Sequence, residues 1–510
     1  MDWSESSQRI ELWDAWSVRG GFIPANAFAL SALWCFGNDF AEAWGVAVMT
    51  TLSEQLAEWT EGVQAARLPS EVILETKLRI LDMLGAMLAG CGDELATKAR
   101  NSAIPDPGNH TATIIGFGDK VSSESAVLVN GVLAHVLEFD DTHVEGAVHP
   151  SSPVLASILS FSERYGLPGR KLLEAMLIGN EITCRLACVA PGMFHRNGFH
   201  PTGVFGAFGG AYALAHLSDM TPQQIANSVG IVGSMSAALM ASWEDGADTK
   251  SLHAGLAALA ANRAVALARQ GISGSSVVFE GRFGFFRSHV QDPSYSFSLD
   301  RATHGLGTRW EVMSIASKVY PCGHYIQPFL DAAAALQSAY APAVTDIVEI
   351  RCAVAEYMIP LICEPVSEKV EPNTSWHGRL SLQHSIAELL VTGRLDKRGY
   401  ARKSLDDPHI VNLRRRVTFE PDPDASDRRS WAGDVTIRLK DGRSLRHRLA
   451  HMRGTPGNRL GVEDIVAKFR SNAEGVITHD NAERCIEFAL ALERLEDVSR
   501  LVATLAPQPS

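Results

Sequence analysis

The chain has 510 residues, of which 46% are hydrophobic and 20% charged, and its formal net charge is −12. This balance is that of an ordinary globular protein long enough for two or more domains. The negative charge, with no basic stripe or aromatic platform in the sequence, argues against a nucleic-acid partner.

The N-terminal 48 residues differ from the rest of the chain. They contain five tryptophans and no clear hydrophobic period, so we expect residues 1–48 to be an extension that is disordered or loosely docked. Their acidic start lacks the basic segment of a signal peptide, and the apolar stretch 28–36 is too short to span a bilayer. The sequence therefore predicts a cytoplasmic protein without a membrane partner.

The eight cysteines are scattered and form no CxxC pair, which signals neither a zinc site nor an iron–sulfur cluster. Free thiols in a reducing compartment fit this pattern best.

Helical patterns dominate from Met49 to about residue 310. Hydrophobic spacing predicts helices over 70–100, 126–137, 154–161, 171–190, 203–217, 223–242 and 251–270. Gly203, Gly206 and Gly210 could suggest a nucleotide-binding loop, but no strand precedes them and no acidic partner follows at the required distance. Close packing between helices explains these glycines better.

The pattern changes after about Pro321. Strands are predicted over 346–354, 413–419, 434–440 and 443–449, with a hairpin turn at 440–443 and a helix at 382–390 between them. Helical spacing returns at 462–469 and 481–505. We therefore predict a mainly α fold, with a large all-helical domain that the C-terminal helices rejoin and a smaller α+β domain.

A polar cluster interrupts the helical pattern at residues 133–153, LAHVLEFDDTHVEGAVHPSSP. It contains carboxylates, a hydroxyl and imidazoles: Glu138, Asp140, Asp141, Thr142, His143, Glu145 and His149. Such groups are costly to bury between two apolar helices unless they are paired. A capped and solvated loop is the alternative explanation.

Three further clusters place a basic or imidazole group beside glycine or proline, at the edge of an apolar helix. They are GFHPTG with His200, DTKSLH with Lys250, and KVYPCGH with Lys318 and His324. Helix N-termini suit anions, lysines neutralise carboxylates, and histidines move protons near neutral pH. Together the clusters predict a pocket for a small polycarboxylate with proton transfer at carbon, although each alone could be a helix cap or a surface group.

The motifs FDDTH…HPSSP, GFHPTG, DTKSLHAG and KVYPCGHY, followed by RLSLQHSIA at 379–387, resemble the MmgE/PrpD family in this order. That family includes 2-methylcitrate dehydratase, cis-aconitate decarboxylase and iminodisuccinate epimerase. The resemblance covers about residues 49–505. It implies a helical domain of residues 49–318 and 456–510, an α+β lid of residues 319–455, and a homodimer without metal or organic cofactor.

Site residues follow from the resemblance by motif. His149, His200, Lys250 and Lys318 match catalytic positions. Substrate-binding roles are expected for Glu138, Asp141, Thr142, His324 and Tyr357. Two departures stand out: Glu138 occupies a position where many members have aspartate, and Gly323 occupies one where the decarboxylase has histidine, with His324 one place later.

The predicted mechanism begins with Lys250 and Lys318 pairing with substrate carboxylates and stabilising charge as an α-proton leaves. His149 and His200 act as the acid–base pair. Because the decarboxylase-type histidine is displaced, the sequence favours a dehydratase of the 2-methylcitrate type. A cis-aconitate-type decarboxylase, an iminodisuccinate-type epimerase and a carboxylate-binding scaffold stay open as alternatives.

Overall fold

The predicted extension, residues 1–48, lies outside the residues that the structure describes. The computed structural model describes residues 50–104, 110–424 and 431–507. Its α-helices are α1 Leu52–Gly62, α2 Ser70–Gly90, α3 Glu94–Ala103, α4 Ser123–His135, α5 Ser151–Arg164, α6 Gly169–Ala187, α7 Met193–Arg196, α8 Pro201–Leu217, α9 Pro222–Val232, α10 Ser242–Asp245, α11 Thr249–Arg269, α12 Phe285–Val290, α13 Asp300–Thr303, α14 Gln327–Tyr340, α15 Ile359–Ile362, α16 Val366–Val370, α17 Ser375–Arg379, α18 Leu382–Thr392, α19 Arg402–Leu405, α20 Pro408–Arg414, α21 Val462–Ala473, α22 His479–Leu490 and α23 Ser499–Ala503.

The strands are β1 Ala112–Thr113, β2 Lys120–Val121, β3 Thr142–His143, β4 Ile315–Ala316, β5 Ile347–Val354, β6 Val417–Pro421, β7 Gly433–Leu439 and β8 Ser444–Leu449. The predicted fold class, mainly helical with a small mixed sheet in the C-terminal part, is confirmed.

Several predicted boundaries were wrong. The pattern over 70–100 forms two helices, because Asp93 caps the second one by accepting the Leu95 N–H at 2.9 Å. The predicted helix 223–242 ends at Val232 and gives way to a loop. The second predicted strand begins at Val417 rather than at residue 413, since helix α20 runs on to Arg414.

Small residues allow the helices that flank the polar clusters to approach closely, as the glycine pattern of α8 predicts. A Cβ on Gly206 would lie 2.4 Å from Pro153 at the start of α5, and one on Gly210 would lie 2.5 Å from Ser157. The C-terminal helix α21 packs in the same way, since a Cβ on Gly85 of α2 would lie 3.2 Å from the Phe469 ring.

The C-terminal sheet has the strand order β6-β5-β7-β8, with β5 and β6 parallel and the other pairs antiparallel. The hairpin between β7 and β8 turns at residues 440–443, as predicted, and Gly442 adopts φ +89° there. Helices α14 and α18 cover the sheet, and the resulting hydrophobic core runs from Tyr320 to Met452. The division at 318/319 and 455/456 into two domains stays a prediction.

Within the described ranges, no helix combines the length and the apolar character needed to cross a bilayer.

Candidate active site

The first polar cluster lies in the loop between helices α4 and α5. Glu138, just after α4, adopts φ +53°, which turns the chain sharply before the two aspartates. Farther along, Thr142 pairs with Ala316 in the β3–β4 ladder, two residues before Lys318. This ladder brings the first cluster and the lysine of the fourth cluster together.

Both predicted lysines converge on Glu138. Lys250, in the first turn of α11, forms a buried ion pair with the Glu138 carboxylate. Lys318 Nζ donates to the Glu138 carbonyl at 2.8 Å and lies 3.6 Å from its carboxylate. Burial raises the pKa of Glu138, but the charges of Lys250 and Lys318 outweigh it and hold that pKa well below its usual range. The three side chains therefore form a buried network of ion pairs.

His149 is held by two contacts from its own loop. Its Nδ1 lies 2.7 Å from the Asp141 carbonyl oxygen and 3.0 Å from Thr142 Oγ1. Because a carbonyl only accepts, Nδ1 carries the hydrogen, and in the neutral ring Nε2 carries the lone pair. Burial lowers the pKa of His149 to about 3 despite the opposing effect of Asp140. The site thus holds His149 as a neutral imidazole with its hydrogen on Nδ1.

His200 lies immediately before helix α8, but its side chain makes no capping hydrogen bond. Instead its Nδ1 lies 3.0 Å from Nδ1 of His253, on α11. Burial, with the nearby Lys250 charge, lowers the pKa of His200 well below its usual value. The second and third clusters are therefore joined through two neutral imidazoles rather than serving as separate helix caps.

A further imidazole, that of His135, lies next to the predicted acid–base pair His149 and His200. Its Nδ1 lies 2.7 Å from Asp140 Oδ2, which also accepts the Ser152 hydroxyl at 2.6 Å. The His135 ring centroid lies 5.3 Å from that of His149 and 5.5 Å from that of His200. Both His135 and Asp140 are fully buried. The Asp140–His135 pair therefore packs against both His149 and His200.

These groups surround a cavity of about 90 Å³. Six of the predicted site residues line it: Glu138, Thr142, His149, His200, Lys250 and His324. Apolar side chains line it as well, among them Leu361, Ile362, Leu380 and Trp431. The lining thus combines charged and polar groups with hydrophobic side chains.

Three predicted residues lie outside the cavity lining. Lys318 is fully buried and reaches the site through Glu138. Asp141 faces away, with its carboxylate 3.3 Å from the Ser151 N–H and 3.9 Å from Arg79, and burial raises its pKa to about 7. Tyr357 packs against Tyr325, with ring centroids 6.1 Å apart. The substrate-binding roles of Asp141 and Tyr357 stay predictions.

His324, displaced by one position along the chain, nevertheless lines the cavity. Its ring packs edge-on against Trp431, with centroids 4.1 Å apart. Neither ring nitrogen has a hydrogen-bond partner among the described residues, although the side chain is buried. Buried polar atoms without partners are rare in folded proteins, so these nitrogens mark a place for a ligand or water.

Among the aromatic and imidazole lining residues, the sequence analysis missed His195, Trp243 and Trp431. Tyr325 is the last residue of the motif KVYPCGHY, but the sequence analysis gave it no role. His195 precedes GFHPTG, so adjacency to that motif could have indicated it. The two tryptophans lie in segments without hydrophobic periodicity and carry no such signal.

Across the described residues, no group of three histidine, cysteine, aspartate or glutamate side chains is arranged to hold a metal ion. Independence from cofactors stays a prediction.

Comparison with known proteins places these motifs in context. The family models of the MmgE/PrpD N-terminal domain and the MmgE/PrpD C-terminal domain match residues 54–298 and 320–494. Cis-aconitate decarboxylase from Homo sapiens is 29% identical over 485 residues, which covers 91% of this chain and 96% of the relative. Cis-aconitate decarboxylase from Aspergillus terreus is 24% identical over 480 residues, covering 89% and 96%. The 2-methylcitrate dehydratase of Cupriavidus necator is 26% identical over 457 residues, covering 82% and 89%.

Proposed function

The chain belongs to the MmgE/PrpD family, and from this premise we propose that it is a carboxy-lyase that decarboxylates a cis-aconitate-like tricarboxylate. The observation that carries the proposal is the convergence of Lys250 and Lys318 on one carboxylate beside a neutral His149. Such a site can bind several carboxylates and deliver a proton to carbon.

The comparisons support this proposal better than the dehydratase favoured by the sequence analysis. Three of the relatives with near-complete coverage are cis-aconitate decarboxylases, whereas the dehydratase match is shorter. The argument for a dehydratase rested on Gly323 replacing a histidine. His324 nevertheless lines the cavity with both ring nitrogens unpartnered, so the displacement leaves an imidazole beside the substrate space.

The lysines bind the carboxylates that are retained. Within the site, the positive charges of Lys250 and Lys318 are balanced by the negative charges of Glu138 and Asp140. A tricarboxylate that enters therefore adds negative charge to a cavity with no surplus of positive charge. Nearby negative charge raises the pKa of an imidazole, so substrate binding converts His149 from a neutral base into an acid.

Decarboxylation breaks the bond between carbon and the departing carboxylate, releases CO2 and leaves the electron pair on the carbon skeleton. The ammonium groups of Lys250 and Lys318 stabilise this pair through the retained carboxylates. The protonated His149 then donates its Nε2 proton to carbon, while Nδ1 remains bonded to the Asp141 carbonyl. Each turnover consumes one proton and forms one carbon–hydrogen bond.

The departing carboxylate lies near the apolar lining residues Leu361, Ile362 and Leu380. A carboxylate is poorly solvated there, and its conversion to neutral CO2 removes an unfavourable buried charge. The contrast between the apolar and the charged lining residues thereby selects which carboxylate is lost.

Dehydration of a 2-methylcitrate-like hydroxy acid is the second candidate, favoured by the match to 2-methylcitrate dehydratase. It uses the same lysines, with His149 removing the α-proton and His200 protonating the departing hydroxyl. Both reactions pass through a carbanion held by carboxylates, so the lysines do not separate them.

The test is proton NMR of the purified protein in D2O with cis-aconitate, citrate, 2-methylcitrate and iminodisuccinate in separate samples. We expect a decarboxylated product with one solvent deuterium on carbon from cis-aconitate alone. New alkene signals from a hydroxy acid would establish the dehydratase. Deuterium exchange without net conversion would indicate an epimerase, and binding without any reaction would indicate a scaffold. A Lys250→Met variant purified in parallel controls for contaminating enzymes.

A further inference from the structure

A second, larger cavity lies beside the catalytic one. Its volume is about 710 Å³, against about 90 Å³ for the catalytic cavity. It is lined by parts of helices α2, α3 and α11, by residues 136–137 after α4, and by parts of the segments 373–379, 397–405 and 474–476. We call this space the outer cleft. No step of the proposed reaction uses it.

One thin wall separates the two cavities. On the chain after α4, Leu137 lines the outer cleft and Glu138 lines the catalytic cavity. At the end of α17, Arg379 lines the outer cleft and Leu380 the catalytic cavity. In the first turn of α11, Lys250 lines the catalytic cavity and Ser251 lines the outer cleft. On each of these three segments, two consecutive residues line different cavities, so the segments form the wall between them.

Two tryptophans meet within this wall. Trp243 lines the catalytic cavity, Trp376 lines the outer cleft, and their ring centroids lie 6.1 Å apart at an interplanar angle of 81°. Both indole nitrogens are buried, and neither has a hydrogen-bond partner among the described residues. An indole nitrogen can only donate, so each can hydrogen-bond a passing oxygen acceptor.

The outer cleft offers positive charge and unused donors. Five cations line it, Lys98, Arg379, Lys397, Arg398 and Arg402, against four acids, Asp93, Glu94, Asp248 and Glu474. The lining residues therefore carry one net positive charge (five minus four), on a chain whose net charge is −12. Two of these cations, Arg398 and Arg402, also pair with Asp396 and Asp406, which lie outside the lining. Arg379 is 4% exposed and donates to Asp93 at 3.1 Å, while its Nε has no partner among the described residues.

The catalytic cavity has a volume of about 90 Å³, much less than the roughly 710 Å³ of the outer cleft. Passage of a ligand from the outer cleft into the catalytic cavity requires displacement of part of the wall that separates them. The two tryptophans lie on short elements, α10 and α17, next to loops.

We propose that the outer cleft is a recruitment site for the polycarboxylate substrate, and that Trp243 and Trp376 form the gate between it and the catalytic cavity. The ligand class rests on the proposed function. Arg379 and the exposed Arg402 attract the carboxylates, and the indole N–H groups guide them as the gate opens. Electrostatic attraction into a cleft raises the rate of substrate capture without changing the chemical step.

Binding is tested with tricarballylate, a saturated tricarboxylate that has no double bond and no hydroxyl group to react. Calorimetry on Lys250→Met, which removes the lysine that lines the catalytic cavity, should still detect one site. Adding Arg379→Gln should remove this site. Adding Arg402→Gln should weaken it roughly threefold, as expected for an exposed charge. Arg402→Gln also keeps the test valid if loss of the buried Arg379–Asp93 pair prevents folding. Arg443→Gln, at the exposed β7–β8 hairpin, is the control and should have no effect.

The outcomes separate this proposal from the proposed function. If wild type decarboxylates cis-aconitate but Lys250→Met binds no tricarballylate, the outer cleft is not a recruitment site and the reaction assignment stands. The same conclusion follows if binding is unaffected by the arginine substitutions. If no tricarboxylate is turned over but binding depends on both arginines, the cleft assignment stands and the reaction assignment fails.

The gate is tested by stopped-flow association of tricarballylate with wild type, Trp376→Ala and Trp376→Phe. Removing the ring should raise the association rate constant by roughly tenfold, as for a barrier lowered by about 1.4 kcal/mol. Phenylalanine preserves the obstruction and should give a rate within a factor of about two of wild type. An unchanged association rate constant in Trp376→Ala would contradict the proposal that Trp376 is part of a gate.

Discussion

Lys318 Nζ donates to the backbone carbonyl of Glu138 at 2.8 Å while lying 3.6 Å from the carboxylate of the same residue. A single buried ammonium thus fixes both the left-handed turn at Glu138 and the position of its side chain. Through Lys250, which pairs with the same carboxylate, the first, third and fourth polar clusters of the sequence become one electrostatic unit.

Replacing Lys318 tests whether this electrostatic unit is needed for catalysis. Lys318→Met preserves most of the side-chain volume and removes the charge. We expect kcat for cis-aconitate to fall by roughly 10²–10³-fold, as when one preorganised donor is lost from a transition-state site. Circular dichroism and thermal melting establish that the variant is folded. Near-normal turnover by folded Lys318→Met would contradict the assignment of Lys318 to the active site.

Glu138→Gln should destabilise the protein because it leaves two buried ammonium groups without their shared carboxylate. Breaking a buried pair on one side costs about 3–5 kcal/mol. Chemical denaturation measures this loss, and Glu138→Asp, which retains the charge, is the matched variant. If both variants were equally stable, the charge of Glu138 would not be what holds the lysines.

Binding of a polycarboxylate should be accompanied by proton uptake. The charges of Lys250 and Lys318 are balanced by those of Glu138 and Asp140, and burial lowers the pKa of His149 to about 3, so the ring is neutral at pH 7.5. Calorimetry with tricarballylate in phosphate and in Tris, whose ionisation enthalpies differ, should show uptake of about one proton per ligand. Equal binding enthalpies in the two buffers would contradict the conversion of His149 into an acid.

The buried His149 should also make stability depend on pH. Its folded pKa lies below the unfolded value of about 6.5, so the unfolded chain binds more protons between these values. Stability is therefore lost as the pH falls below about 6.5, by about 1.4 kcal/mol from this group at pH 5.5. Wild type should lose more stability than His149→Asn between pH 7.5 and 5.5. Parallel losses would show that His149 is not held neutral.

Asp140 should matter more than its neighbour Asp141 for catalysis. Asp140 lies 2.7 Å from His135, which contacts both His149 and His200, whereas Asp141 faces Arg79. We expect kcat to fall roughly 10–100-fold in Asp140→Asn, as for loss of a carboxylate that orients an imidazole. The pH profile of kcat should shift with it, which a purely structural defect would not cause. A greater loss of kcat in Asp141→Asn would reverse this assignment.

Much of the site could be predicted because each motif lies at the edge of an apolar helix, where a polar side chain has few structural reasons to occur. His149, His200 and Lys250 all line the cavity for this reason. The sequence could not distinguish Asp140 from Asp141, since adjacent side chains point in different directions and only the fold decides which one meets the imidazoles.

The missed features depend on contacts between distant segments. The β3–β4 ladder has only two residue pairs, too short to leave a period in the sequence. Trp243 and Trp431 enter the cavity from segments without a repeating hydrophobic pattern, so only tertiary structure identifies them. The break between α2 and α3 depends on one capping aspartate within a continuous apolar pattern.

The most direct test of the account is the rate of CO2 release from cis-aconitate by wild type and by folded Lys250→Met. We predict steady CO2 release by wild type and a loss of at least roughly 10²-fold in the variant. Absence of CO2 from wild type, or equal release by both proteins, would contradict decarboxylation at this site.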